Sequence, residues 1–166
     1  MTRRAVYPGT FDPPHAGHLD LIERGRALAD ELIVAVGVNP EKKTLFTAEE
    51  RVELLATCCA PWDNVRVVPF QGLVVDLTRA EGAHFILRGI RNFADFEAEG
   101  SMALMNRQLA PESGGETVFV LPSRELAHFS SRWVKEVASF GGDVRSMLPE
   151  PVADEILERL ETIRRG

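Results

Sequence analysis

Apolar runs of strand length alternate with amphipathic stretches along the whole chain. The runs are residues 3–9 (RRAVYPG), 31–38 (ELIVAVGV), 64–70 (NVRVVPF), 84–90 (HFILRGI) and 116–122 (ETVFVLP). The second is almost continuously apolar, as a strand buried on both faces would be. Between the runs, apolar residues recur at three- and four-residue spacing, which predicts helices over 18–30, 47–60, 72–82, 93–111, 130–142 and 151–166. Thr47 opens a Thr-x-x-Glu box in which Thr47 and Glu50 satisfy each other's free amides, so a helix begins there. ESGGE forms a turn, and Gly141-Gly142 stops the penultimate helix. This alternation predicts an α/β class: a doubly wound, five-stranded parallel sheet with helices on both faces and C-terminal helices. Ligands would then bind at the strand C-terminal ends, beside the point where strand order reverses. The polar, glycine-bearing loops PGTFDPPHAGH, NPEKK, RGIRN and LPSRELAHFSS fall there.

Length and charge narrow the picture. A chain of 166 residues suits one domain, 1–166, with a full core. Hydrophobic residues at 45% and charged residues at 27% exclude a disordered chain. No apolar run nears the roughly 20 residues that span a bilayer, so no membrane partner is expected. MTRRAVYPG leads two arginines into a strand without an apolar signal core, and the expected location is cytoplasmic. A formal charge of −6 argues against nucleic acid held on a general basic surface. Cys58 and Cys59 are adjacent on a helix, so their side chains diverge and buried free thiols are expected.

Candidate chemistry concentrates in residues 7–18, YPGTFDPPHAGH. The loop joins a strand to a helix N-terminus, where unpaired amides and the helix dipole favour a phosphate. Gly9 and Gly17 remove side chains where a nucleotide would approach, Thr10 offers a hydroxyl, and His15 and His18 lie one turn apart. Neither G-x-G-x-x-G nor G-x-x-x-x-G-K-[ST] is present. A zinc reading of the histidines finds only His84 and His128 as further imidazoles, and a purely structural cap is the other alternative.

His15-Ala16-Gly17-His18 resembles the H-x-G-H signature of the nucleotidyltransferase superfamily. The blocks YPGTFDPPHAGH, NPEKK, FTAEER, LRGIRNFADFEAE, MNRQLAP and SSRWVKEVA resemble, in order and spacing, those of the phosphopantetheine adenylyltransferase family. The resemblance spans nearly the whole chain and implies a Rossmann-like nucleotidyltransferase domain. It implies reversible transfer of AMP from ATP to 4′-phosphopantetheine, giving dephospho-coenzyme A and pyrophosphate in coenzyme A synthesis. An acceptor phosphate is already a nucleophile, so such a site needs cations and fixed donors rather than a general base.

The resemblance implies that His18 stabilises the transferring phosphoryl group and that His15 binds ATP phosphates beside it. Thr10 would orient the acceptor phosphate, with the backbone of Thr10 and Phe11 near the nucleotide; helix capping is Thr10's alternative role. Lys42 would bridge acceptor and α-phosphate, although chemistry alone does not separate it from Lys43. Arg88 is assigned to the acceptor and Gly89, Ile90 and Arg91 to ATP; two salt-bridged surface arginines are the alternative. Glu99 matches a nucleotide contact, or pairs structurally with Arg91. Val74 lies along the pantetheine arm, or packs in the core. Leu126, Ala127, His128, Phe129, Ser130, Ser131 and Arg132 form the second ATP segment, with Ser130 and Ser131 at a helix start suited to a β- or γ-phosphate.

This chain reads Phe129-Ser130-Ser131-Arg132 where the family has I-S-S-[ST], and Leu126 or Ala127 stands where an aromatic usually lies near adenine. Gly100-Ser101 replaces larger residues in a helix interior. Mg²⁺ would accompany ATP without a dedicated protein ligand, and a homohexamer is implied. The apolar positions of residues 93–109 suit either an assembly surface or the core. Two rivals stand beside this reading: a related adenylyl- or cytidylyltransferase acting on another phosphorylated acceptor, and a sensor that binds ATP or coenzyme A without turnover.

Overall fold

The computed structural model describes residues 2–112 and 114–165. Five strands, β1 (Arg4–Gly9), β2 (Glu31–Gly37), β3 (Val65–Phe70), β4 (Phe85–Gly89) and β5 (Thr117–Val120), form one sheet of order β3-β2-β1-β4-β5. Every pairing is parallel, as the strand–helix alternation requires. The helices are α1 (Ala16–Arg26), α2 (Ala48–Cys59), α3 (Val74–Ala80), α4 (Phe93–Leu109), α5 (Ser131–Ser139) and α6 (Ala153–Arg165). Strand order reverses between β1 and β4. These two strands pair only at Ala5↔Phe85 and Val6↔Ile86, whereas β1 and β2 pair from Arg4↔Glu31 to Gly9↔Val36. The C-terminal halves of β1 and β4 are therefore free to part, and a crevice opens there.

Strand alternation sorts the core. Ala5 and Tyr7 of β1 with Leu32, Val34 and Val36 of β2 pack on one face beside Leu21, Ile22 and Leu55, while Val6, Ile33 and Ala35 face the other way beside Val74 and Leu77. Each fully buried Leu or Ile contributes about 1.5–3 kcal/mol. Pro69 is tolerated because β3 is an edge strand. A further cluster joins α2, α5 and α6 through Leu54, Cys58, Val134, Ile156 and Leu160. Cys58 and Cys59 are buried free thiols, and burial raises the former to about 12 and the latter to about 11.

Several boundaries differ from the sequence pattern. α1 starts at Ala16, because His15 itself caps it, and ends at Arg26 rather than continuing through residue 30. A 3-10 turn, Glu150–Val152, precedes α6, with Pro151 fitting that first turn. In the expected turn ESGGE, Ser113 lies outside the described residues. The largest difference is in α4. Only Asn106 of this helix is buried, while Phe93 is 93% exposed and Met102, Leu104 and Met105 are also exposed. Its apolar positions mostly face outward, not into the core. Among the described residues no helix is long and apolar enough to cross a membrane.

Candidate active site

The parted ends of β1 and β4 border a crevice of about 270 Å³. Its floor is the loop after β1. Phe11 has a left-handed backbone, φ 53°, a conformation that costs an L-residue about 1–2 kcal/mol. Its buried ring packs edge-on against Tyr7 and against His18, with centroids 4.8 Å apart in the second pair. Gly9 and Gly17 make this packing possible, and both border the crevice. A Cβ at Gly9 would meet the Phe11 ring at 2.7 Å, and one at Gly17 would meet the His15 ring at 3.0 Å.

Both histidines are held by backbone amides. His15 Nδ1 accepts from Gly17 N at 3.1 Å, and His18 Nδ1 accepts from His15 N at 3.2 Å, which closes a capping box made of two imidazoles. Their rings lie 3.7 Å apart. Burial, reinforced by Arg91, pushes His15 down to about 3. His18 is lowered well below 6.5, by burial first and then by His15, Arg91 and Arg88. Both rings are neutral near pH 7, and because Nδ1 accepts, the proton sits on Nε2. The pair therefore offers two fixed N–H donors to the crevice, suited to phosphate oxygens.

Arginines form the opposite wall. Arg88 Nε donates to Glu99 Oε2 at 2.6 Å, its Nη2 donates to the other carboxylate oxygen, and Nη1 donates to Pro8 O at 2.8 Å across the gap between β1 and β4. Arg91 pairs with Asp95, Nε to Oδ2 at 2.9 Å, and its Nη1 donates to Phe129 O at 3.2 Å. The expected structural alternative, Glu99 with Arg91, is thus corrected: Glu99 takes Arg88, and Arg91 takes the nearer Asp95. Both arginines are salt-bridged, yet both line the crevice with Gly89 and Glu99. Ser130 caps α5 by accepting from Trp133 N, and Ser131 Oγ donates to Pro13 O at 2.8 Å, so this helix start faces the histidine loop.

The expected residues do not all share one hollow. Thr10, Phe11, His15, His18, Arg88, Gly89, Arg91, Glu99, Leu126, Phe129, Ser130 and Ser131 line the crevice. Lys42 lines two neighbouring hollows of about 520 Å³ and 250 Å³, and Arg132 lines the larger of these. Val74 lines another, of about 320 Å³. Thr10 borders the crevice and both Lys42 hollows, so it stands where they meet. Ile90 is buried and donates its amide to Val120 O, His128 packs on Phe129, and neither they nor Ala127 line the crevice. Arg132 is largely exposed and lies 3.6 Å from Glu136.

Two supporting residues escaped the sequence reading. Buried Asp12 accepts from Leu45 N and Phe46 N, with Oδ1 to Phe46 N at 2.9 Å, and from Lys135 Nζ at 3.0 Å. It thereby fixes the Lys42 loop and α5 to the histidine loop. Buried Arg51 donates to Thr10 O at 2.6 Å, Gly37 O at 3.0 Å and Thr47 O at 3.2 Å. An acidic residue before two prolines was the available signal for Asp12; Arg51 reads from sequence as an ordinary solvated helix position. Among the described residues no group of three or more His, Cys, Asp or Glu side chains is placed to hold a metal.

The chain is similar to known proteins. The family model described as cytidylyltransferase-like matches residues 6–137. The chain is 51% identical over 162 residues to the phosphopantetheine adenylyltransferase of Heliobacterium modesticaldum, covering 98% of this chain and 95% of the relative. It is 46% identical to those of Clostridium perfringens, with 98% of each chain covered, and of Aquifex aeolicus, with 96% and 97% covered. A crystal structure of a bifunctional NMN adenylyltransferase/ADP ribose pyrophosphatase from Francisella tularensis, complexed with AMP and Mn ion, superposes with a TM-score of 0.69 at 16% identity. It matches 99% of this chain, which spans about half of that longer protein (52%), and the likeness concerns the fold.

Proposed function

The chain belongs to the phosphopantetheine adenylyltransferase family, and from that membership we infer how its residues divide one reaction. The enzyme transfers AMP from ATP to 4′-phosphopantetheine, giving dephospho-coenzyme A and pyrophosphate in coenzyme A biosynthesis. A phosphate oxygen of the acceptor attacks the α-phosphorus of Mg·ATP, the bond to the β-phosphate breaks, and pyrophosphate leaves. No proton has to be abstracted, so positioning and charge carry the rate.

His18 donates Nε2–H to the transferring phosphoryl group, and His15 donates beside it. Thr10 and Lys42 hold the acceptor phosphate against the α-phosphorus, with Lys42 extending from its exposed loop. Arg88 takes the acceptor side, Arg91 and the start of α5 at Ser130 and Ser131 take the ATP phosphates, and Leu126 and Phe129 flank the nucleoside. Arg132 adds a cation at the edge of this segment. Mg²⁺ would arrive with ATP and supply charge neutralisation of its phosphates, with no residue of this chain assigned to hold it. The observation that carries this division is the meeting of two amide-locked histidines, two arginines and a helix start in one crevice at the strand-order switch. The whole chain, 1–166, works as one nucleotidyltransferase domain in the cytoplasm. Exposed Phe93, Met102, Leu104 and Met105 on α4 support its assembly, as a homohexamer.

The test is pyrophosphate release from Mg·ATP with and without 4′-phosphopantetheine, with dephospho-coenzyme A followed by mass. Acceptor-dependent release with matched product is expected. ATP binding without product would favour the sensor.

A further inference from the structure

One side of the crevice is a loop, residues 121–129, between β5 and Ser130, the cap of α5. Among the described residues, hydrogen bonds tie this loop to other elements at two points only, Ser123 and Phe129. At Ser123, Asp20 of α1 takes both polar groups: Oδ2 accepts from the backbone N at 2.6 Å and Oδ1 from Oγ at 2.6 Å. Arg24, one turn further on, donates Nε to Asp20 Oδ2 at 3.1 Å and Nη2 to Ser123 Oγ at 2.8 Å. Burial alone would raise the Asp20 carboxyl, but the Ser123 bonds and then Arg24 outweigh it and hold the group below its ordinary value, so both oxygens accept near pH 7. From Ser123 the bonds run on in series. Its O accepts from Leu126 N at 3.0 Å, Leu126 O accepts from Phe129 N at 3.1 Å, and Phe129 O accepts from Arg91 Nη1 at 3.2 Å. Packing does little to replace them at Leu126, which borders the crevice on one side and, with Asp20, a hollow of about 360 Å³ on the other.

We propose that Asp20 is a positioning residue for the nucleoside of ATP, acting through Ser123 on Leu126 and Phe129. This rests on the functional reading above, in which those two side chains flank the nucleoside. Asp20 and His18 stand two residues apart on α1, so they point to different sides of one helix. A single rigid element therefore carries both the donor to the transferring phosphoryl group and the tie that sets where the nucleoside loop sits. The separation between the two contacts is fixed in this way, and a misplacement of about 1 Å can cost about 100-fold. Gly17, between the histidines, lets the loop come close: a Cβ there would lie 3.3 Å from Leu126 O. Inorganic triphosphate lacks a nucleoside and makes no use of this loop, and Arg91 stays held by Asp95 whatever becomes of Phe129 O.

The experiment measures binding of Mg·ATP and of inorganic triphosphate by calorimetry, together with steady-state kinetics, in wild type, Asp20→Ala, Asp20→Asn and Ser123→Ala. Asp20→Ala should weaken ATP binding and raise KM for ATP about tenfold or more, as loss of charge-assisted hydrogen bonds does. Triphosphate affinity, KM for 4′-phosphopantetheine and kcat at saturating ATP should stay within about twofold of wild type. A merely structural aspartate would lower the melting temperature and the active fraction but would not separate ATP from triphosphate. Ser123→Ala, which keeps the backbone bond, should raise KM for ATP about threefold, and Asp20→Asn should lie between the two; these variants carry the test if Asp20→Ala does not fold. The double variant should lose no more than Asp20→Ala alone, because both substitutions act on one interaction. ATP binding within twofold of wild type in the folded Asp20 variants overturns the proposal, as does an equal loss of triphosphate. Wild type that makes no dephospho-coenzyme A, with ATP still weakened selectively by Asp20→Ala, brings down the reaction inferred above and supports this proposal.

Discussion

Residues 7–18 and residues 38–46 both approach Thr10, the first from β1 into α1 and the second from β2 toward α2. In the first loop both histidines are fixed. His15 and His18 each accept a backbone amide and pack on each other, and His18 rests on a Phe11 that is itself buried. In the second loop the ends are tied, at Leu45 and Phe46 by Asp12 and at Leu45 O by Arg159 at 2.9 Å, yet Lys42 itself is exposed. One loop offers neutral donors in a set geometry, and the other offers a full charge on a long stem. Neutral donors must be aimed to be worth much, whereas a cation acts over distance and tolerates motion. The comparison predicts that perturbing the fixed loop costs rate, and perturbing the free lysine costs mainly acceptor binding.

The strongest way to break it is His18→Ala. Turnover should fall about 100- to 1,000-fold with ATP binding retained, as for loss of one transition-state donor; pyrophosphate release within twofold of wild type would refute the assigned role. Lys42→Ala should lower kcat/KM for the acceptor about 10- to 100-fold, as loss of a charge-assisted hydrogen bond does. Lys43→Ala should stay near wild type, since Lys42 borders the hollows beside Thr10 and Lys43 does not. Equal losses at both lysines would mean that only the loop's total charge matters.

The third test uses pH. Folded His15 stays neutral down to about 3, but in the unfolded chain it takes a proton below 6.5. Between these values the unfolded state binds more protons, so the contribution to stability is whole above 6.5 and is lost as pH falls toward 3. The slope reaches about 1.4 kcal/mol per pH unit. Denaturant melts from pH 7 to 4 should show a shallower fall for His15→Gln than for wild type; parallel curves would mean the ring titrates normally. The smallest effect belongs far from both loops. A Cβ at Gly100 would meet nothing within 4 Å, so Gly100→Ala should stabilise α4 by up to about 1 kcal/mol, read as a raised melting temperature with unchanged turnover. A lowered melting temperature would mean that this face needs the missing side chain for close approach.

The fixed loop was also the more legible one. Its motif is contiguous, because a capping box is a local structure, and the elements around it follow from hydrophobic period alone. The free loop carried two adjacent lysines with identical chemistry; the family resemblance prefers Lys42, and the placement of Thr10, Asn39 and Phe70 in the hollow that Lys42 lines agrees with it. Helical spacing put Asp95 and Glu99 both within reach of an arginine, but which arginine each takes depends on the gap between β1 and β4, a long-range property. The same holds for Arg51, whose three carbonyl partners come from three different segments. Sequence periodicity describes how a helix faces its nearest neighbour, not what stands empty beside it.

Thr10 borders three hollows at once, and its carbonyl is held by buried Arg51. Occupants of those hollows would therefore share a boundary residue. Any linkage between them is reciprocal: whatever factor nucleotide adds to acceptor affinity, acceptor returns to nucleotide affinity. If the two ligands are coupled, dissociation constants measured one ligand at a time will not multiply to the affinity of the ternary complex, and comparing that discrepancy in wild type and Thr10→Val measures how much of the coupling Thr10 carries.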